Sequence, residues 1–392
     1  MADGSRIRVS IVSEGVNYGV TPGSPTMLVL PVTGSGLADR LGYVQSNVIN
    51  PDRNVDDLVR LSKAAGGTIP LELRYSPNGE GLSSALLALL SAASYTASTS
   101  EASCTIAGGT KEVTKAAFDF VADGFAVGDV VKVSGSSVTA ENGYYRITAL
   151  ATGVMTLDKP TNFSAGGTSV TVSRGARAVN GTSTPSFTIE VAHLDLDKAQ
   201  IYTGCVINTM DLNLAIGQLA TITLGIEAQS STRQDTFVGS SGIFISGATY
   251  TAAATHPTLD PIGVAEIRVG GADYAAQSLT LNLTNNARAR EQIGSLGPVS
   301  MARGFFGATG SVTAYLADWT DHNAFAGNTP TDLWFAAIDA NGRGWSISLP
   351  QVKFSDVNSP TQGNNTDVFK NISVTAYKDQ TESCTVRLQR WD

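Results

Sequence analysis

The chain has 392 residues, of which 40 are glycine, 15% are charged and 42% are hydrophobic. This length allows two or three domains with cores of their own, and the composition favours turn-rich β-structure over disorder. The formal net charge of −8 argues against a protein that binds nucleic acid by neutralising phosphates. Three widely spaced cysteines argue against a disulfide framework and favour folding in a reducing cytoplasm.

Residues 1–97 are predicted to form the first part of a domain. They contain one helical pattern and several strand-like segments: RIRVSIV, TMLVLPV, GYVQSNVI and TIPLELRY. The helix is predicted over residues 82–94, because Leu82, Leu86 and Leu89 form an apolar stripe at helical spacing.

Residues 98–182 form a segment with a different sequence pattern, flanked by the linker-like sequences TASTSEAS and RGARAVNGTSTPS. Short alternating strands lie between these two sequences, and Gly128-Asp129 and Asn142-Gly143 supply turns between them. The segment is predicted to be a small, inserted β-barrel or sandwich that folds independently and faces outwards.

Residues 183–232 complete the first domain and contain the most regular pattern in the chain, INTMDLNLAIGQLATITLGIEAQ at 207–229. Its apolar residues alternate with polar ones on both sides of a break at Gly217-Gln218, which predicts a long hairpin with one apolar and one polar face. Residues 207–229 contain no Lys or Arg. The candidate functional residues on the polar face are Asp211, Asn213, Thr221, Thr223 and Glu227.

Residues 233–392 are predicted to form a second domain that repeats the first. Strands, a short helix near 319–326, a further strand and a final hairpin follow one another in the same order. In this comparison Ile222, Leu224 and Ile226 correspond to Ile372, Val374 and Ala376. We interpret the pattern as a tandem duplication of a domain of about 150 residues, a common domain size. Chance similarity among threonine-rich strands is the alternative.

No sequence motif for an active site or a metal site is found. The chain lacks phosphate-binding, zinc-binding and nucleophile-elbow motifs. His193, Asp195 and Asp197 form the best candidate for a cation site, but a solvated strand end is the favoured interpretation. We expect no catalytic residues, no metal and no cofactor. No apolar run reaches the roughly 18 residues that span a bilayer, so no membrane association is expected.

The order of these segments resembles that of the major tail tube proteins of long-tailed bacteriophages. The resemblance rests on SEGVNYGVTPGSPTMLVLPVTG, SNVINPDR, GGTIPLELRY, the hairpin at 207–229 and the terminal ISLPQVKF and NISVTAYKD. It implies a mainly β protein of the virion tail that assembles in the host cytoplasm as stacked six-fold rings, with inner sheets that line a channel for DNA ejection. It also implies contact with the tape measure protein and other tail proteins.

The resemblance makes the polar hairpin face a candidate lining for this channel. A polar, weakly acidic lining lets DNA slide, whereas a basic lining would hold it. Because the chain contains two tube-type domains in this interpretation, three chains would complete a ring, with six as the alternative. Other protein classes that fit the composition are an adhesion or carbohydrate-binding module, a capsid decoration protein and a hydrolase on a β-sandwich.

Overall fold

The computed structural model describes residues 4–49, 51–52, 54–164, 166–259, 264–361 and 363–392. The protein is mainly β, with 49% of its residues in strands and 6% in helices. The two α-helices are α1 (Gly81–Leu89) and α2 (Thr320–Ala326). The strands are β1 (Ile7–Ser13), β2 (Thr26–Val29), β3 (Ala38–Gln45), β4 (Leu58–Glu72), β5 (Thr99–Ala107), β6 (Glu112–Thr114), β7 (Val130–Ser134), β8 (Gly143–Ala151), β9 (Val154–Leu157), β10 (Ser169–Arg174), β11 (Ala176–Val179), β12 (Phe187–His193), β13 (Lys198–Ala215), β14 (Thr221–Ala228), β15 (Ser230–Gln234), β16 (Thr249–Thr251), β17 (Val264–Val269), β18 (Ala272–Asp273), β19 (Ala276–Thr284), β20 (Arg288–Arg290), β21 (Ser300–Ala302), β22 (Gly307–Tyr315), β23 (Thr331–Ile338), β24 (Gly344–Asn358), β25 (Phe369–Ala376) and β26 (Arg387–Trp391).

The same order of strand pairing occurs twice outside the segment β5–β10. In what we call the first repeat, β1 pairs with β12, β12 with β13, β13 with β14, and β14 with β4, which also pairs with β3. In the second repeat, β17 pairs with β23, β23 with β24, β24 with β25, and β25 with β22, which also pairs with β19. β15 and β26 occupy matching places beside β13 and β24.

The register of pairing is also repeated. Ile222 lies opposite Leu71 of β4 and Leu212 of β13. Ile372 lies opposite Val312 of β22 and Val357 of β24. The residues that alternation in the sequence made equivalent therefore occupy equivalent positions in the sheet.

The two repeats share one sheet. Residues 209–215 of β13 pair antiparallel with residues 278–284 of β19, so the sheet runs in the order β4, β14, β13, β19, β22, β25 and β24. Its apolar face forms part of one large core that contains residues from both repeats. Leu212, Ile222 and Leu281 are each 2% exposed in this core.

Helix α1 covers the junction between the repeats. Its Leu82, Leu86 and Leu89 side chains are buried. The Asn285 side chain, just after β19, donates hydrogen bonds to the carbonyl oxygens of Leu89 (2.8 Å) and Ile207 (3.0 Å). The helix is shorter than predicted over 82–94, because the backbone turns left-handed at Ser91 (φ 53°). The Ala92 N–H then bonds to the Leu87 carbonyl oxygen at 3.1 Å, which is the usual closure of a helix C-terminus. Helix α2 begins and ends close to its predicted limits.

Strands β5–β10 close into a six-stranded barrel with a core of its own. The barrel interrupts the first repeat in sequence but packs on the second repeat in space. Its Val130 and Tyr144 contact Trp334 of β23 and Trp391 of β26, and Trp334 is fully buried. The boundaries at 97/98, 182/183 and 232/233 remain predictions, but this buried contact means that the barrel is held by more than its two connections.

Charged residues reinforce the contact between the barrel and the second repeat. Asp129 of the barrel is fully buried and its carboxylate lies 3.2 Å from the guanidinium of Arg387 on β26. Arg146 of β8 forms ion pairs with Glu382 and with Asp332, the latter at 3.4 Å. Since buried charges are tolerated only when paired, these contacts fix the position of the barrel on the sheet.

Candidate functional site

The five predicted residues lie together on the polar face of the β13–β14 hairpin. Asp211 is directly opposite Thr223, and Asn213 is directly opposite Thr221. Glu227 lies further along β14, opposite Val206 near an irregularity in the pairing. Side chains on a strand alternate between the two faces, and the intervening apolar side chains of the hairpin point into the core.

The polar face extends across neighbouring strands that sequence reasoning did not include. One row of cross-strand neighbours passes through residues of seven strands: Pro70, Thr223, Asp211, Asn282, Thr309, Thr375 and Lys353. The next row consists of Glu72, Thr221, Asn213, Thr280, Ser311, Ser373 and Asp356. The signal was present in the sequence as the alternation in QSLTLNLT and GSVTAY, but alternation does not reveal which strands pair.

Hydrogen bonds across the strands hold the polar side chains of this face. Asn282 donates its amide N–H to the Asp211 carboxylate, and the hydroxyls of Thr280 and Ser311 are 2.8 Å apart. A shallow, open groove of about 450 Å³ follows the centre of the face and is lined by residues of β13, β19, β22, β24 and β25. Hydroxyl and amide groups that already bond to one another, and also face solvent, form a wettable surface.

The charges on the face are largely balanced. Glu227 forms an ion pair with Arg40 of β3 at 2.7 Å, and Glu72 forms one with Arg74 at 2.6 Å. The hydrogen bond from Arg74 lowers the pKa of the Glu72 carboxyl, which therefore stays ionised. Lys353 adds a positive charge to the row that contains Asp211. Asp356 adds a negative charge to the next row. The face is thus polar and nearly neutral, and less acidic than the hairpin sequence alone indicated.

The structure separates the residues of the candidate cation site. His193 is the last residue of β12, whereas Asp195 and Asp197 lie in the turn that follows, with Asp197 in the left-handed region (φ 55°). Within the residues that the structure describes, no group of three or more His, Cys, Asp or Glu side chains is placed to hold a metal ion.

A family model for the phage tail tube protein matches residues 4–376. The chain belongs to the phage tail tube protein family. The match covers the barrel and both repeats as far as the end of β25, and it confirms the resemblance that the order of sequence segments suggested. Comparison with curated proteins gives no match.

Membership of this family makes the protein a structural component of a bacteriophage tail, with self-assembly into a tube among other tail proteins as its general role. Neither helix in the described part of the chain is long and apolar enough to cross a membrane.

Proposed function

We propose that three copies of this tail tube protein form a ring, that the rings stack into the tail tube, and that the polar face of the shared sheet lines the channel through which DNA is ejected. The observation that carries the proposal is the continuity of this face across the β13–β19 junction. A single chain thereby supplies two consecutive and equivalent segments of wall.

The repeat determines the number of chains. A six-fold tube of single-domain subunits needs six chains, and a chain that contains two such domains needs three. The ring would then have six similar wall segments, with the inserted barrel at every second position. The three junctions inside the chains would repeat the β13–β19 pairing, and the three junctions between chains would imitate it.

The ends of the shared sheet support closure of this kind. Residues 353–358 of β24 pair with β25 on one side and, among the described residues, have no strand on the other. At the opposite end, the outer edge of β3 likewise has no partner strand in the described chain. Unpaired sheet edges are sites of association, and a closed ring removes both. The β24 edge of one chain would join the β3 side of the next, as β13 joins β19 within the chain.

The two helices support the same arrangement. Helix α1 lies on β13 at the junction inside the chain, and its Leu82, Leu86 and Leu89 side chains are buried. Helix α2 lies on β24, the strand equivalent to β13, and Trp319 and Phe325 beside and within it are 60% and 40% exposed. A neighbouring chain joined to β24 would cover these aromatic side chains, as the second repeat covers α1.

The chemistry of the face suits a channel for DNA. Proteins hold DNA mainly by placing Lys and Arg against phosphates, which releases counterions. The proposed lining consists mostly of hydroxyl and amide groups, and Arg40 and Arg74 are already paired with carboxylates. DNA would therefore pass without lasting contacts. The tape measure protein, which would occupy the channel before ejection, and other tail proteins are the further proposed partners, and assembly would take place in the host cytoplasm.

The proposal is tested by electron microscopy of the purified protein at rising concentration, together with the mass of the ring that precedes tube growth. We expect tubes of uniform diameter and a ring mass of three chains. A protein that stays monomeric at all concentrations would contradict the tube assembly, and a ring mass of six chains would contradict the proposed stoichiometry.

A further inference from the structure

An unusually apolar hairpin projects from the first repeat. It consists of β3, the outer part of β4 and the described residues of their connection, and we call it the first arm. Its exposed apolar side chains include Val48 (63%) and Ile49 (95%). The others are Leu41, Tyr43, Val44, Val55, Leu58, Val59 and Leu61. A two-stranded hairpin is marginally stable by itself, and a group of exposed apolar side chains on one such element marks an interaction site.

The second repeat has an equivalent arm at the matching place. It is the connection between β19 and β22, and it contains the short hairpin β20–β21. We call it the second arm. Its tip packs on the first repeat of the same chain, where the backbone N–H of Lys63 donates a hydrogen bond to the Leu296 carbonyl oxygen at 2.6 Å. Gly297 lies so close to the carbonyl oxygens of Lys63 and Gln229 that an added Cβ would be 3.0 and 3.2 Å from them.

We propose that the first arm docks on the second repeat of a neighbouring copy in the same ring, at the position equivalent to the one where the second arm docks inside the chain. This inference rests on the ring proposed above. The partner is a second copy of this chain, because the surface that receives an arm is formed by elements that each chain contains twice. Among the residues that the structure describes, only the copy in the first repeat is covered by an arm of its own chain.

The strand registers locate the receiving surface. Leu71 of β4 is equivalent to Val312 of β22. Counting back the same number of residues from each makes Lys63 equivalent to Gly304. Ile226 of β14 is equivalent to Ala376 of β25, so counting forward along the chain makes Gln229 equivalent to Asp379. Phe305, directly after Gly304, is 83% exposed and offers an apolar surface to the apolar tip of the first arm.

Cross-linking tests the proposed contact. Asn47→Cys places a thiol on the first arm beside Val48 and Ile49, and Gln380→Cys places one beside Asp379; both native residues are exposed. The three native cysteines are buried, so a flexible bismaleimide will react at the introduced pair. In a three-chain ring, each chain links to the next and the covalent products end at three chains. Products that end at six chains would support the arm contact but refute the three-chain ring.

Two other results would overturn the inference. Products that continue in a ladder without limit would show that the arm reaches a different ring. Tubes that form normally without any cross-linked product would show that the arm lies elsewhere. The two single-cysteine variants, mixed in equal amounts, serve as a control, because they permit linked pairs but no longer products.

A double substitution gives an independent readout. Val48→Asp with Ile49→Asp puts two charges on the arm tip, and since both side chains are exposed, the isolated chain should fold as before. We expect the concentration needed for tube assembly to rise at least about ten-fold, the effect of roughly 1.4 kcal/mol at a contact. Val121→Asp, at a 62% exposed position of the barrel, is the matched control and should leave that concentration unchanged. An unchanged concentration for the arm variant would overturn the inference.

Discussion

Replacement of Asp129 by Asn should loosen the attachment of the barrel to the second repeat. The Asp129 carboxylate is fully buried and lies 2.8 Å from Arg177, 3.2 Å from Arg387 and 3.5 Å from Arg174. These arginines come from β10, β11 and β26, so one carboxylate joins the barrel, the strand that leaves it and the last strand of the chain. The amide keeps the shape of the side chain but removes the charge that three guanidinium groups share.

The expected loss of stability follows from the burial of this cluster. Removal of one partner of a buried ion pair destabilises a protein by about 3–5 kcal/mol, because the remaining charge stays buried. The Asn carbonyl oxygen can still accept the Ala126 N–H bond, 2.8 Å long in the native protein, so we expect a value near the lower end, about 3 kcal/mol.

Denaturant unfolding of the unassembled chain, followed by tryptophan fluorescence, measures this loss. Trp334 and Trp391 lie at the contact between the barrel and the sheet and report on its opening. Asp235→Asn is the control, because Asp235 is paired with Lys198 on the surface and its loss should change the unfolding curve little. An Asp129→Asn curve that coincides with the native one would refute the reasoning that this cluster fixes the barrel.

Three further predictions concern the sheet and the cysteines. Leu224→Ala should lower the free energy of unfolding, measured by heat or denaturant, by about 2–5 kcal/mol, because Leu224 is 1% exposed. An equal loss for Thr223→Ala on the polar face would contradict the assigned faces. Thr223→Lys should leave folding and assembly intact but slow DNA ejection from phage particles, because the added charge attracts phosphates. Thr148→Lys on the barrel is the control and should not slow ejection. Normal ejection with full incorporation of Thr223→Lys would place the face outside the channel. Burial raises the pKa of the thiols of Cys104, Cys205 and Cys384. A maleimide should therefore label none of them in the native protein near neutral pH and all of them after denaturation. Fast labelling of the native protein would contradict the structure at the labelled cysteine.

Alternation in the sequence was sufficient to predict the β13–β14 hairpin and both of its faces. The period of two is imposed by the backbone of a strand, so it needs no knowledge of distant contacts. The correspondence of Ile222 with Ile372 was predictable for the same reason, since both lie in hairpins with the same spacing of apolar residues. The helix end was predicted less well, because the left-handed turn at Ser91 has no glycine to mark it.

Contacts between distant segments were not predictable from these patterns. The charge on Glu227 is balanced by Arg40, which is 187 residues away in the chain, and no local rule pairs them. The docking of the barrel on the second repeat was equally hidden, because Trp334 and Asp129 belong to segments that each look complete in the sequence. The linker-like brackets around residues 98–182 indicated an insertion but carried no information on the surface that receives it.

The central claim is that one chain contributes two wall segments to the ring, and a reconstruction of assembled tubes without imposed symmetry tests it most directly. The barrel is a large marker that occurs once in each chain. We expect three barrels in each ring, evenly spaced around a three-fold axis, with a wall of six similar segments. Six barrels in each ring would contradict the account.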